Sequence, residues 1–203
     1  MGSLRFEPVS EELFRVAFAE TFAPPGGLDD GPIPCVATMS SPVGPLLLAA
    51  TARGLCTLEF LERASLERRL RALHRKLAGR AVLASNDVLD SVREQLRAYF
   101  AGELTRFEVA LDYTGTPFQQ KVWSMLLEIP YGVTWSYLDV AERLGDAGAT
   151  RAVGMANGAN PIAIVIPCHR VVNASGELGG YGGGSWRKRI LLDLEKGQGQ
   201  LPL

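Results

Sequence analysis

Cys168 and His169 are adjacent in the chain, and a cysteine next to a histidine can supply a nucleophile and its base. A thiol attacks as its thiolate, so a reactive cysteine needs a base that takes its proton. In a turn, His169 could reach the sulfur directly or through one water molecule. Glu195 lies in the last turn of the final predicted helix, where a negative charge opposes the helix dipole and needs a local partner. These three residues predict a relay of cysteine, histidine and glutamate.

Two other interpretations of Cys168 remain open on the residues alone. A free cysteine packs well as a small apolar side chain, so its role could be structural. A Cys-His hydrolase would instead form an acyl intermediate on the same sulfur. The hydrolase is disfavoured because the sequence carries no evident oxyanion-hole motif. Its histidine would also usually be remote from the cysteine in the chain.

The segment before the cysteine is an apolar run that ends at Pro167, and its pattern predicts a strand-like element. This element would place Cys168 and His169 at the edge of a buried structure. A cysteine in that position can meet a ligand.

A capped helix is predicted where the C-terminal part of the chain begins. Thr116, Pro117 and Gln119 supply an N-cap, a first-turn proline and a capping-box partner. The apolar residues expected to face inward are Phe118, Val122, Leu126 and Ile129.

Two short helices follow, and their spacing is typical of a helix-turn-helix. Ser136 with Asp139 starts the first, and the segment "ATRAVGMANG" forms the second after a glycine-containing turn. A final helix begins at Ser185 and ends before Gly197.

Residues 35–112 have a different pattern. β-prone runs separated by Gly44 and Gly54 predict a meander of about three strands. Two helices follow, one capped by Ser65 and one over residues 87–100. We interpret the arginine-rich face of the first as a solvated surface, with phosphate binding as the alternative.

The first 34 residues form an arm and linker of unknown role. The segment "VSEELFRVAFAETF" has apolar residues at helical spacing, Ser10 is the N-cap candidate, and a Pro/Gly-rich linker follows. We interpret the helix as an arm that packs on the rest of the chain. The alternative is descent from an AraC-type DNA-binding domain, whose last helical segment it weakly resembles. Residues 198–203 are a short tail.

The composition is that of an ordinary globular protein, with 203 residues of which 47% are hydrophobic and 21% charged. The longest apolar run, residues 45–52, is far shorter than the roughly 20 residues that a membrane-spanning helix needs. No secretory signal is evident, and three cysteines make a poor disulfide framework. We therefore expect a cytoplasmic protein without membrane contact. Because the net charge is −1, any DNA contact must come from a local patch.

Five motifs resemble the O6-alkylguanine-DNA alkyltransferase family, also called methylated-DNA-protein-cysteine methyltransferase. They are "YGVTWSYLDVAERLG", "ATRAVGMANGANP", "IPCHRVV", "GGYGGG" and "RKRILLDLE". The resemblance covers residues 35–197 and implies an α+β fold class. A small N-terminal β-meander domain with helices, ribonuclease H-like, would occupy residues 35–112. A helical, winged helix-turn-helix-like domain that binds DNA and transfers the alkyl group would occupy residues 113–197.

The resemblance implies a function in DNA repair, with double-stranded DNA that contains O6-alkylguanine as the partner. Cys168 would take the alkyl group from a flipped-out base, irreversibly and once per molecule, without a cofactor. His169 would be the water-mediated base, and Glu195 would orient it. Tyr137 would help to rotate the nucleotide and would hydrogen-bond the base.

Further residues are implied to bind the DNA and the extruded base. Arg151 would enter the duplex and fill the gap, and Asn160 would brace the turn after the recognition helix. Tyr181 and Gly182 belong to a loop expected to close over the guanine. Backbone groups near Val171 would read the edge of the base.

This chain differs from some relatives of the family in its potential metal ligands, and one alternative function remains open. Some relatives hold zinc in the N-terminal domain, but this chain offers only Cys35, Cys56 and His74 there, so we expect no structural metal. Relatives that lack the cysteine bind alkylated DNA and recruit repair partners. The alternative function is therefore a non-catalytic alkylated-DNA binding or sensor protein. We expect a monomer.

Overall fold

The computed structural model describes residues 9–22 and 33–197. The chain divides into two compact units. The first contains the described residues up to Arg93 together with Val109–Asp112, and the second contains Glu94–Glu108 and the described residues from Tyr113 onward. The first unit combines a four-stranded sheet with helices, and the second unit is mainly helical, which confirms the α+β fold class. In these two described stretches, no helix has the length and apolar character needed to cross a membrane.

An open sheet of four strands organises the first unit. The strands are β1 (Cys35–Met39), β2 (Leu46–Thr51), β3 (Gly54–Phe60) and β4 (Val82–Leu83), in the order β3-β2-β1-β4. Because β1, β2 and β3 are antiparallel neighbours, the predicted meander is confirmed. Strand β4 pairs parallel to β1 and was not predicted, since two residues carry no alternating pattern.

Two helices of this unit bury their apolar stripes in one cluster. Helix α1 (Glu11–Thr21) begins after the predicted N-cap Ser10, whose side chain accepts a hydrogen bond from the backbone of Leu13. Helix α2 is Leu66–Lys76. The shared cluster includes Phe14, Phe18, Phe22, Leu66, Leu70 and Leu73. The interpretation of the N-terminal helix as a packing arm is therefore confirmed.

The predicted cap of α2 is wrong. Ser65 precedes the helix, but its hydroxyl donates to the carbonyl of Glu62 and accepts from the guanidinium of Arg69. A short 3-10 turn, Arg63–Ser65, leads directly into the helix and denies Ser65 the extended backbone that an N-cap needs. Arg69 also pairs with Glu59 on β3. Arg68, Arg71 and Arg75 on the same helix are exposed, which favours the interpretation of this basic face as a solvated surface.

Helix α3 (Asp87–Phe100) has the predicted bounds. The amide side chain of Asn86 caps it by accepting from the backbone of Leu89 at 2.9 Å. The chain leaves the helix at Gly102, whose φ of +76° suits glycine. In the second unit, the last turns of α3 bury Tyr99 and Phe100.

Short helices make up most of the second unit. They are α4 (Pro117–Leu127), α5 (Tyr137–Arg143), α6 (Thr150–Gly158) and α7 (Ser185–Glu195). Helices α4, α5 and α6 pack on one another, which confirms the predicted helix-turn-helix. Two short strands, β5 (Trp135–Ser136) and β6 (Val171–Val172), pair in parallel.

The predicted caps of α4 and α5 are confirmed, because both helices begin with a complete capping box. The inward position predicted for Phe118 is wrong, since its side chain is 37% exposed in the first turn of α4. Trp123 packs inward instead and is 2% exposed. Its indole N–H donates to the carbonyl of Ala156 at 2.8 Å, which satisfies the buried polar group and fixes α6 on α4.

Candidate active site

Cys168 opens a 3-10 turn, Cys168–Arg170, at the end of a buried segment. The strand predicted before it is wrong, because residues 161–166 form turns and bends, with one β-bridge residue at Ile162. Two short-range backbone hydrogen bonds hold this segment, from Val165 to Ala163 and from Ile166 to Ile162. The bonds curl the chain locally, so the apolar run is buried without joining a sheet. Cys168 itself is only 5% exposed.

Asn160 holds this turn from its N-terminal end. Its amide donates to the carbonyl of Ile166 at 2.8 Å, and its side-chain oxygen accepts from the backbone of Ile162 at 3.0 Å. Ile164 has a φ of +71°, an uncommon conformation for a β-branched residue. The side chain of Asn160 therefore stabilises a strained path that leads to the cysteine.

The thiol of Cys168 is hard to ionise in this setting. Burial raises its pKa to about 11, although a hydrogen bond with Asn160 and the positive charge of Lys188 act in the opposite direction. At pH 7, such a thiol is a thiolate in roughly one molecule in ten thousand. A reaction at this sulfur therefore needs a base close by.

His169 is fully buried and offers that base. Its Nε2 lies 2.8 Å from Oε1 of Glu195. Burial lowers the pKa of His169, and the neighbouring carboxylate opposes this shift, so the ring is neutral at pH 7. Because an ionised Glu195 can only accept, Nε2 carries the proton and Nδ1 presents its lone pair. No hydrogen-bond partner for Nδ1 is found within the described residues.

Glu195 is the last residue of α7, and Arg170 provides its compensating charge. The guanidinium of Arg170 donates to both carboxylate oxygens, at 2.8 and 3.0 Å, and to the carbonyl of Ile129 at 2.6 Å. Burial raises the pKa of Glu195, but His169 and Arg170 outweigh it and bring the pKa down to about 2. The local partner expected from the sequence is therefore present.

Gly132 completes the surroundings of this carboxylate. Its backbone N–H donates to Oε2 of Glu195 at 3.2 Å. A Cβ at this position would lie 2.9 Å from the carbonyl oxygen of Glu195, and the φ of +75° is unfavourable for other residues. The close approach of this loop to the end of α7 therefore requires glycine.

Tyr137, the first residue of α5, lies between α6, the recognition helix, and residues 178–184, the glycine loop. Positions of a virtual Cβ on Gly154 and Gly179 come within 3.9 and 3.5 Å of its ring. Burial and the nearby Cys168 raise the pKa of Tyr137, so its phenol stays a neutral donor at pH 7. The influence of Cys168 on this pKa places Tyr137 near the thiol.

The recognition helix α6 is connected to the cysteine by a buried amide. Asn157 donates from Nδ2 to the carbonyl of Cys168 at 3.3 Å. Arg151 lies at the start of the same helix, and its side chain is exposed. The structure therefore does not bring Arg151 into the buried cluster around Cys168, although Arg151 and Asn157 belong to the same helix.

Lys188 is fully buried and was not singled out from the sequence. Its ammonium donates to three carbonyls, those of Val171 at 2.6 Å, Leu178, and Gly180 at 3.4 Å. Burial lowers the pKa of Lys188 to about 8, and Cys168 opposes the shift. The lysine therefore fastens the glycine loop to β6 and keeps a positive charge near the thiol.

The glycine loop carries the remaining predicted residues. Burial and the nearby Cys168 raise the pKa of Tyr181 well above its usual value. Gly182, the next residue, is exposed. Both backbone groups of Val171 are engaged, because its N–H donates to the backbone carbonyl of Cys168 and its own carbonyl accepts from the ammonium of Lys188. Only the second lone pair of that carbonyl is left for a ligand.

Two family models match consecutive parts of this chain. The ribonuclease-like domain of 6-O-methylguanine DNA methyltransferase matches residues 35–113, and the DNA binding domain matches residues 117–197. The chain belongs to the 6-O-methylguanine DNA methyltransferase family. It is 51% identical over 159 residues to the methylated-DNA--protein-cysteine methyltransferase of Mycobacterium bovis. The aligned residues cover 78% of this chain and 90% of that protein.

Solved structures of this methyltransferase family have the same fold. The Mycobacterium tuberculosis O6-methylguanine methyltransferase is 49% identical, with a TM-score of 0.71 over 82% of this chain and 95% of that chain. Mycobacterium tuberculosis OGT in complex with DNA is also 49% identical, with a TM-score of 0.69 over 81% of this chain and 94% of that one.

Several residues of this methyltransferase site were missed by sequence reasoning. They are Tyr99, Gly132, Asn157, Arg170 and Lys188. A helical pattern could have indicated Lys188, since it shares one face of α7 with Leu191, Leu192 and Glu195. In the part of the chain that the structure describes, no three His, Cys, Asp or Glu side chains could hold a metal ion.

Proposed function

We propose that this chain repairs double-stranded DNA by transferring the alkyl group of O6-alkylguanine to Cys168. The observation that carries the proposal is the hydrogen bond between Nε2 of His169 and Glu195, which leaves Nδ1 as a buried, unprotonated nitrogen on the residue that follows the buried Cys168. The family relationship supports the same reaction. The protein is then a cysteine S-methyltransferase that reacts once per molecule.

The first step moves the thiol proton. Nδ1 of His169 takes it from Cys168, directly or through one water molecule, and becomes an imidazolium. Glu195 stabilises that cation because Arg170 keeps the carboxylate ionised. Lys188 adds a second positive charge near the thiolate.

The second step is a displacement at the alkyl carbon. The sulfur of Cys168 forms a bond to that carbon while the bond from carbon to O6 breaks, and the electron pair passes to the guanine ring. The guanine regains a proton from water, and His169 returns its extra proton to solvent. The neutral phenol of Tyr137 donates a hydrogen bond to the departing base.

The product is a thioether on Cys168, which has no easy leaving group. No second nucleophile in the described part of the site is placed to regenerate the thiol. Each molecule therefore reacts once and is consumed.

The guanine must leave the base stack to reach a cysteine this deeply buried. We assign Arg151 to the gap that it leaves in the duplex, and Asn160 to the turn that presents the cysteine. Tyr181 and Gly182 cover the extruded base, and the carbonyl of Val171 accepts from its amino group. We infer that the protein acts as a monomer in the cytoplasm, where a thiol stays reduced and DNA is accessible.

The test uses a duplex with one labelled O6-methylguanine and mass spectrometry of the protein. We expect one alkyl group per molecule, located on Cys168, and none on Cys168→Ser. The matched control is Cys56→Ser, which replaces another buried thiol and should react like the wild type. Repeated turnover, or label on Cys35 or Cys56, would contradict the proposal. Binding of the duplex without transfer would instead favour the non-catalytic alkylated-DNA binding or sensor protein.

A further inference from the structure

The recognition helix α6 has two clearly different faces. Its buried face holds Val153, Ala156 and Asn157, which contact the rest of the second unit. Its exposed face consists of Arg151, Ala152, Met155 and Gly158, and the C-cap residue Ala159 is exposed as well. Only an arginine and a methionine project from this exposed face, since the other three residues are small.

Met155 is 72% exposed, the highest value among the large apolar side chains of residues 9–22 and 33–197. A single exposed apolar residue is ordinary on a protein surface. Here, however, the residue lies four positions after Arg151, which places both side chains on one face about 6 Å apart along the helix axis. That distance corresponds to roughly two base steps of a duplex.

We propose that Met155 is a second duplex-contacting side chain, which packs against the nucleotides next to the gap that Arg151 fills. The inference rests on the proposed function. Methionine is among the apolar side chains that wedge into base steps and stabilise a distorted duplex. It makes no hydrogen-bond readout of sequence, so its contact suits a protein that must find damage in any sequence.

The occupant of this face is duplex DNA for three reasons. The face lies in the region that matches the family's DNA binding domain. Its one charged residue, Arg151, is positive and suits a polyanion. The small residues around the two projecting side chains allow the helix backbone to approach a groove closely.

The test compares Met155→Ala and Met155→Leu on two substrates, a duplex with O6-methylguanine and the free O6-methylguanine base. We expect Met155→Ala to react with the duplex about tenfold more slowly, because a packed apolar side chain is lost. Reaction with the free base should not change, since no stack must be held open. Met155→Leu keeps the apolar volume and should stay within about twofold of wild type on both substrates.

Salt dependence separates this contact from a charge contact. Met155→Ala should lower the affinity for duplex equally at all salt concentrations, because methionine releases no counterions. Arg151→Ala should also reduce the slope of log affinity against log salt. Val16→Ala, on the exposed face of α1, is the matched control. It should leave the reaction rates with the duplex and with the free base unchanged.

The outcomes distinguish the inference from the proposed function. A wild-type protein that transfers no alkyl group from the duplex would contradict the proposed function. If the wild type transfers and Met155→Ala is equally fast on the duplex, the inference alone is wrong. Equal losses on duplex and free base, or a concentration-dependent dimer that Met155→Ala abolishes in sedimentation, would also overturn it.

Discussion

The phenolic O–H of Tyr99 donates a hydrogen bond to Oε1 of Glu195 at 2.8 Å, and the same oxygen lies 2.8 Å from Nε2 of His169. The tyrosine comes from the end of α3, 96 residues before the glutamate. Burial and the negative charge of Glu195 raise the pKa of Tyr99 well above its usual value, so the phenol remains a donor. The relay carboxylate is thus fixed by a residue far away in the sequence.

Removal of this hydroxyl should destabilise the protein without abolishing transfer. We expect Tyr99→Phe to lower the free energy of unfolding by about 2 kcal/mol, because a buried hydrogen bond to a charged acceptor is lost. Alkyl transfer should continue, since Arg170 and His169 still hold Glu195. Urea unfolding and single-turnover rates measure the two effects. Tyr113→Phe, where the ring packs on Trp123, is the control. An unchanged unfolding curve for Tyr99→Phe would contradict this prediction.

Acid should destabilise the protein through Glu195. Its pKa in the folded chain is about 2, below the ordinary 4.5, so the unfolded chain binds this proton more tightly. The carboxylate therefore stabilises the fold above pH 4.5, and that stabilisation is lost as the pH falls from 4.5 towards 2. We expect Glu195→Gln to be less stable at pH 7, because Arg170 loses its partner, and to show a smaller further loss in acid.

Urea unfolding at several pH values between 7 and 3 measures this effect. Glu128→Gln, at the exposed end of α4, is the matched control and should follow the wild type. An acid-induced loss in Glu195→Gln as large as in the wild type would show that another group is responsible.

The elements that sequence reasoning predicted well depend on local chemistry. The capping boxes at Thr116 and Ser136 need only residues three positions apart, and both are present in the structure. Cap prediction failed at Ser65 because the preceding turn, rather than the serine itself, decides how α2 begins. Local patterns do not record such backbone constraints.

The surroundings of the cysteine were less predictable. The apolar run before Cys168 has the composition of a strand, but the side chain of Asn160 holds its backbone in turns. Tyr99 reaches the site from 96 residues away in the chain, and no periodic pattern carries that information. By contrast, Glu195 could be singled out because its charge opposes its own helix.

Lys188 should be required for an ordered glycine loop. We expect Lys188→Met to slow alkyl transfer at least tenfold, since three carbonyls lose their common donor and the thiolate loses a neighbouring charge. Amide hydrogen exchange should become faster in residues 178–181. Lys196→Met, which removes an exposed lysine just after α7, should leave both measurements unchanged. A variant with a normal exchange rate and a normal transfer rate would show that the lysine has no such role.

The pH dependence of transfer should reveal His169 as the base. The relay reacts from the state with a neutral imidazole and a protonated thiol. Burial keeps the pKa of His169 below 6.5 and raises that of Cys168 to about 11, so this state predominates between pH 6.5 and 7.5, where Lys188, with a pKa of about 8, is still mostly charged. The wild-type rate should therefore be nearly constant in that window and should fall in more acidic solution as His169 takes a proton.

Without the imidazole, the reaction must use the small fraction of thiolate that exists at equilibrium. The rate of His169→Ala should therefore be far lower at pH 7 and should rise about tenfold per pH unit from 6.5 to 7.5. His169→Gln fills more of the buried space and should show the same slope if the variant with alanine folds poorly. His74→Ala, which removes the only other histidine of the chain, should keep the flat profile. A flat profile in both His169 variants would mean that another group takes the proton from Cys168.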